Sequence, residues 1–225
     1  MTKAPQIIIY GCALQAQQLR NYIEMENQGN IAAYVVDDVY KKENLPDIQQ
    51  INGLPLICFS EMLANYAPQD VMIANSLAYS HMVEDRERVH RQCKANGYQM
   101  FTFLSKASHV YAAQVGEGTI IYPGCTIGHN VILGEGNFFE IGATIAHDSV
   151  IGSFNFFAPN AIMCGGIHME HNCFVGAGAV IINGGIIKHH ALIAAGTVVR
   201  NAEAESVYFA PRAVKWHGKS SDIKI

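Results

Sequence analysis

Ten histidines stand in this chain of 225 residues, and imidazole is the side chain best suited to exchanging a proton near neutral pH. Their spacing ranks them. His129 and His147 lie eighteen residues apart, and so do His171 and His189. His147 is set apart by the carboxylate that follows it, in Ile145-Ala146-His147-Asp148-Ser149-Val150-Ile151-Gly152. A histidine poised near neutral pH suits proton abstraction from a nucleophile, and an exposed polar residue is the plainer reading of His147 by itself. His129, His171, His189 and His190 read most simply as exposed polar residues.

The spacing belongs to a repeat that organises Val115 to Val199. Written in sixes, fourteen consecutive blocks each open on an apolar residue, from Val115, Ile121, Ile127 and Leu133 to Ile187 and Ile193, with no insertion. The second position is often Gly or Ala. The fifth is usually small or β-branched, as at Thr119, Cys125, Val131, Ala143, Ser149 and Ala179. A period of six fits neither a helix nor an amphipathic strand. It fits a solenoid, in which three blocks make one triangular coil and each coil buries its apolar side on the next. His147 then lies one coil above His129 and one coil below Gly165.

Ahead of the repeat the chain alternates strand-like and helix-like segments. Ile7 to Tyr10 reads as a buried parallel strand ending at Gly11, Leu14 to Asn27 as a helix, and Ile31 to Val36 as a second strand followed by Asp37-Asp38. Ser60 is placed to cap a short helix, Val71 to Ala74 makes another strand, and His81 to Asn96 a longer helix. Gln99 to Leu104 leads into the solenoid. This order predicts a small Rossmann-like α/β domain over 1–104, followed by a solenoid domain over 105–225. The carboxyl ends of such a sheet, at the Gly11 turn, are where a ligand binds, and the helix start there can face a diphosphate. A single glycine in Gly11-Cys12-Ala13-Leu14-Gln15-Ala16 equally suits a plain strand-to-helix turn, and Asp37-Asp38 a solvated strand end.

Charge and composition narrow the partners. A net charge of −4 and a pI near 6.2 give no footprint for nucleic acid or an anionic membrane, which leaves small molecules. The first residues lack the apolar length of a secretory signal, and no run reaches the roughly 18 apolar residues of a membrane span. Six cysteines without metal or redox spacing read as reduced thiols in a cytoplasmic protein. Phe138, Phe139, Phe154, Phe156 and Phe157 exceed what one thin prism needs, and several are expected to meet another copy of the chain.

The unbroken sixes and the I-x-H-[DE]-x-x-I-G block around His147 resemble the hexapeptide-repeat acyltransferases. The order of domains is similar to that of bacterial nucleotide-sugar acetyltransferases, which acylate amino sugars destined for glycoproteins, O-antigen or capsule. The resemblance implies a left-handed parallel β-helix, a homotrimer with active sites at subunit contacts, and acetyl-CoA as co-substrate without a metal. It implies His147 as general base with Asp148 as its partner, and Gly165 as backbone donor to the thioester carbonyl. Glu140 stands seven residues before His147, where the family often has Asn, and can hold an ammonium group or serve as a turn residue. Gly176, Ala177, Ala195 and Gly196 would border the pantetheine arm, although tight turns explain them as well. Tyr208 to Lys215 looks like the family's G-x-P-A-K closing segment with Ala210 for its Gly, which would bring Arg212 and Lys215 to the coenzyme's phosphates. Gly11, Asp37 and Asp38 match the nucleotide site, while Ala13-Leu14-Gln15 replaces the usual Ser-Gly-His.

Together these readings predict an acetyl-CoA-dependent N-acetyltransferase acting on a nucleotide-linked amino sugar. Sugar O-acetylation is the nearest variant, and a non-catalytic binding or scaffold protein on a degenerate acyltransferase fold is a second alternative. A γ-type carbonic anhydrase, a third, needs three histidines around zinc, and no spacing here supplies them.

Overall fold

A run of three isoleucines and a tyrosine cannot stay in water, and it forms the centre of the first sheet. The computed structural model describes residues 5–211. Strand β1 (Gln6–Tyr10) buries Ile7, Ile8 and Ile9 completely. With β2 (Asn30–Val36), β3 (Gln50–Ile51), β4 (Leu54–Cys58), β5 (Met72–Asn75) and β6 (Gln99–Met100) it makes a sheet in the order β3-β4-β2-β1-β5-β6. Only the β3–β4 pair is antiparallel, and its turn places Asn52 and Gly53 at positive φ, as an Asn-Gly hairpin does. Helices α1 (Leu14–Met25), α2 (Asp38–Asn44), α3 (Phe59–Asn65) and α4 (Glu84–Ala95) run between the strands.

Two local expectations are corrected. Helix α3 is capped from Cys58, whose N–H donates to Glu61 Oε2 at 2.8 Å, whereas Ser60 lies inside the helix and bonds Asp38. Helix α4 begins at Glu84, because His81, Met82 and Val83 hold left-handed backbone and cannot extend it backwards. Its first turn carries Glu84, Asp85 and Glu87, which suit the positive end of the helix dipole.

From Phe103 onward two-residue parallel strands stack into three faces. The first face runs from Phe103–Leu104 through Ile120–Ile121, Phe138–Phe139, Phe156–Phe157, Phe174–Val175 and Leu192–Ile193 to Val207–Tyr208. The second has six strands, from His109–Val110 to Val198–Val199, and the third has five, from Gln114–Val115 to Ile186–Ile187. The eighteen-residue register holds through the body of the prism, as in Ile120↔Phe138↔Phe156↔Phe174↔Leu192. Every block opener from Ile121 to Ile193 is buried and points into one apolar core, and all fourteen fifth positions are buried. Two of these are asparagines that form an internal ladder. Asn155 N–H donates to Asn137 Oδ1 at 2.9 Å, and Cys173 N–H to Asn155 Oδ1 at 2.8 Å.

The fourth position follows a rule that the sixes do not announce. In all fourteen blocks it has positive φ, and it is Gly, Asn or Asp except at Phe154 and His190. Each corner of the prism therefore turns through one left-handed residue, which these types tolerate best.

The N-terminal domain lies over the first face. Ile120, Phe138, Phe154 and Phe156 pack in one cluster with Ile9, Leu19, Tyr34 and Phe103, while Phe139 and Phe157 stack inside the prism with ring centroids 4.4 Å apart. All five phenylalanines are thus buried within one chain, and the expectation that several meet another copy is overturned. Arg86 pins the contact. It is 1% exposed, donates to the carbonyls of Gly136 (2.6 Å), Gly118 (2.9 Å), Leu77 (3.0 Å) and Asn75, and sits 5.1 Å from the Phe138 ring centroid. Burial without a carboxylate partner pulls its pKa down to about 9, which still leaves it charged at neutral pH.

Candidate active site

The corner between the second and third faces carries His147. Its Nδ1 lies 2.8 Å from Asp148 Oδ2, and Asp148 Oδ1 accepts from Asn130 Nδ2 at 2.9 Å. Asn130 and Asp148 both occupy the left-handed fourth position, one coil apart. The turn that favours Asn or Asp there also sets the carboxylate beside the ring. The bond from Asn130, and then that from His147, holds the Asp148 carboxyl below its ordinary range. Sequence reasoning did not single out Asn130, although its eighteen-residue offset from Asp148 was the available signal.

Above the ring lies Gly165. A Cβ there would come within 2.8 Å of His147 Cε1 and Nε2, so the imidazole occupies the space that a side chain would fill. Gly166 N–H donates to His147 O at 2.9 Å and Gly165 O accepts from Gly184 N–H at 3.0 Å. Among the described residues the Gly165 N–H itself has no hydrogen-bond partner. A histidine base with an unpaired backbone donor one coil above it can accept a proton and steady a developing oxyanion.

The small residues fall on a different corner, between the first and second faces. Gly176 and Ala195 approach so closely that a Cβ on Gly176 would meet Ala195 N at 2.4 Å, and Gly196 N–H donates to Ala177 O at 2.9 Å. Gly176, Ala177, Ala195 and Gly196 are thus brought together, but they are separated from His147 by the width of the second face. Glu140 sits on the same corner as these small residues and in the same column as Gly176. It is half-buried, and burial raises its carboxyl above the ordinary range. Arg212 and Lys215 lie outside the described residues.

A cavity of about 540 Å³ opens at the carboxyl ends of β1, β2 and β5, lined by Gly11, Ala13, Asp37, Tyr79, Arg88 and neighbours. Gly11 has φ +107, and a Cβ there would fall 2.5 Å from Ser76 Oγ, so both conformation and space require glycine. The N-terminus of α1 has no side-chain cap at Ala13. The acidic pair divides. Asp37 enters the cavity, where Tyr10 Oη donates to it at 2.7 Å and Arg88 Nη2 at 2.9 Å. Asp38 instead accepts from Ser60 N–H at 3.1 Å and from the Ser60 hydroxyl, and does not line the cavity. Arg88 was not foreseen, because nothing in the α4 sequence tells which of its charged residues turns towards β2.

Of the other repeat histidines His129 and His171 are exposed and His189 and His190 half-buried, while His90 of α4 is buried. His171 and His189 stack one coil apart with centroids 5.4 Å apart, and His190 meets both edge-on. Among the described residues no group of three or more His, Cys, Asp or Glu is placed to hold a metal ion, and no helix is long and apolar enough to cross a membrane. All six cysteines are free.

No family model matches the sequence, and no curated protein matches it. Solved structures do. The acetyltransferase domain of PglB from Neisseria gonorrhoeae, in complex with acetyl coenzyme A, superposes at TM-score 0.75 and 16% identity, over 87% of this chain and 91% of that one. PerB from Caulobacter crescentus, solved with CoA and GDP-perosamine, gives 0.76 and 19%, over 90% and 91%. The chain has their fold. It is a Rossmann-like α/β domain followed by a left-handed parallel β-helix. WeeI from Acinetobacter baumannii is similar at 0.77 and 23%, over 89% and 94%.

Proposed function

We propose that this protein is an acetyl-CoA-dependent acetyltransferase that acylates the amino group of a nucleotide-linked amino sugar, in the cytoplasm, for a bacterial glycan such as O-antigen, capsule or glycoprotein. The observation that carries the reading is the His147–Asp148 pair beneath Gly165. His147 takes the proton of the attacking amine as nitrogen bonds the thioester carbonyl. The Gly165 N–H supports the oxyanion, and collapse of the tetrahedral adduct breaks the C–S bond and releases CoA thiolate, which is then protonated. No metal and no acyl-enzyme enter this sequence. The likeness to PglB and PerB, whose structures hold acetyl coenzyme A, or CoA with GDP-perosamine, supports this choice of donor and acceptor class.

In this reading Gly176, Ala177, Ala195 and Gly196 border the pantetheine arm, with Arg212 and Lys215 at the coenzyme's phosphates. Gly11 and Asp37 line the nucleotide cavity, and Asp38 braces α3 through Ser60. Glu140 holds the acceptor's amino group. The chain divides functionally into an acceptor-holding unit over 1–104 and a transferring unit over 105–225. A homotrimer completes the site. The His147 corner and the small-residue corner flank one face within a chain, and a three-fold ring sets the first against the second of the next copy. The second face supports this with exposed Ile162 (41%) and Val198 (67%).

The test is thiol release from acetyl-CoA with UDP-, dTDP- and GDP-linked amino sugars as acceptors, with mass analysis of the product. An N-acetylated sugar from one acceptor is expected. Silence across the panel in protein that binds CoA would overturn the reading.

A further inference from the structure

The nucleotide cavity has an unusual charge balance. Asp37 and Asp85 both present carboxylates to the cavity that, on the function proposed above, takes a nucleoside diphosphate, and like charges in one cavity repel. Three donors already occupy the Asp37 carboxylate. Oδ1 accepts from Tyr10 Oη at 2.7 Å and from Arg88 Nη1 at 3.2 Å, while Oδ2 accepts from Arg88 Nη2 at 2.9 Å. The guanidinium is therefore gripped by both prongs of its fork, a geometry that fixes its plane. Burial first, and then the bond to Asp37, raises the Tyr10 phenol, so Tyr10 remains a donor to the carboxylate at any physiological pH.

Arg88 is not used up by this grip. Its Nη1 also reaches Gln92 Oε1 at 3.3 Å, but its Nε lies 3.9 Å from the nearest Asp85 oxygen, beyond hydrogen-bond range, and the second Nη2 hydrogen has no acceptor among the described residues. The side chain is 48% exposed and lines the cavity together with Gly11, Ala13 and Gln15. Among the described residues it is the only arginine or lysine in that lining. The turn after β1 offers no charged or hydroxyl side chain, only Cys12, Ala13, Leu14 and Gln15.

We propose that Arg88 is the phosphate-binding and specificity-determining side chain of this cavity, held in place by Asp37 and Tyr10, and that it makes the site select a nucleoside diphosphate over the bare nucleoside. This rests on the cavity being a nucleotide site. Asp37 acts here as a positioning residue. It turns a mobile arginine into a fixed donor pair, and the arginine offsets the Asp37 charge, while Asp85, the other carboxylate of the lining, bonds His81 Nδ1 at 2.7 Å.

The experiment is calorimetric titration of the full chain with UDP, dTDP and GDP and with the matching nucleosides, at two salt concentrations, for the wild type, Arg88→Gln and Arg88→Lys. Arg88→Gln is expected to weaken nucleoside diphosphate binding about 10- to 100-fold, the range of a charge-assisted hydrogen bond, while nucleoside affinity stays where it was and the salt dependence flattens. Arg88→Lys should recover part of the loss, because the charge returns without the fork. An equal fall for nucleoside and nucleotide, or full nucleotide affinity in Arg88→Gln, overturns the proposal and leaves the proposed function standing. A wild type that binds none of the nucleotides removes the nucleotide site and this inference with it. Should Arg88→Gln fail to fold, the wild type still decides, since diphosphate affinity that is indifferent to salt contradicts an arginine contact.

Discussion

The first and second faces of the prism come from one repeat and meet opposite fates. Outward positions on the first face are Phe103, Ile120, Phe138, Phe156, Phe174, Leu192 and Val207; the first four are at most 3% exposed because the N-terminal domain covers them, and only Val207, at the far end, is well exposed. Equivalent positions on the second face are Thr126, Thr144, Ile162, Val180 and Val198, of which Ile162 and Val198 stand well out of the surface. The repeat dictates what points inward and is silent about what lies outside. Covering is decided by the neighbour, and the neighbour here is the chain's own first domain. It leaves the second face uncovered, with the His147 corner on one edge and the small-residue corner on the other.

The comparison breaks most strongly at Arg86. Arg86→Ala leaves four carbonyls without their donor and should cost about 3 kcal/mol or more, read as a lowered denaturant midpoint. Phe156→Ala on the covered face is expected to cost about 3–5 kcal/mol. Val198→Ala on the bare face should stay within about 0.5 kcal/mol in the isolated chain, and equal losses at the two positions would erase the distinction.

Gly165→Ala tests the edge of the bare face. Its Cβ meets the movable end of His147 and not backbone, so folding stability should hold while kcat falls on the order of 10²-fold, as a displaced base would give. Replacing Ile162 and Val198 together by Asp should convert the proposed trimer to monomers in sedimentation with an unchanged circular dichroism spectrum. Trimers that persist would put the interface elsewhere.

Glu140→Gln is the smallest effect. Burial raises the folded-state pKa of Glu140 above its unfolded value, so the native state holds the proton more tightly. Stability then declines as pH rises from the unfolded value, near 4.5, through the raised one, and the cost persists at neutral pH. The substitution should raise Tm at pH 7 and leave it nearly unchanged at pH 4.

Much of the prism was legible because each block must bury its opener, and a strict period of six admits no other geometry. The stacking of His147 under Gly165, the core of the candidate site, was legible for the same reason, since the two are eighteen residues apart. What escaped has physical causes. The five phenylalanines carry no mark of which surface covers them. Helix α2 buries no residue, so it has no apolar stripe to reveal it. The Asn52-Gly53 hairpin and the left-handed fourth position had signals in residue type, and these are turn rules that hydrophobic periodicity does not register. Asp37 and Asp38 are neighbours with different duties, which only the path of the chain beyond β2 separates.

The central claim is that His147 is the base, and its most direct test is a single-turnover measurement of acetyl transfer by His147→Ala preloaded with acetyl-CoA and the preferred acceptor. A fall of about 10²–10⁴ in the transfer rate with both ligands still bound is predicted. Transfer at the wild-type rate would contradict the account and return His147 to the exposed polar residues of the repeat.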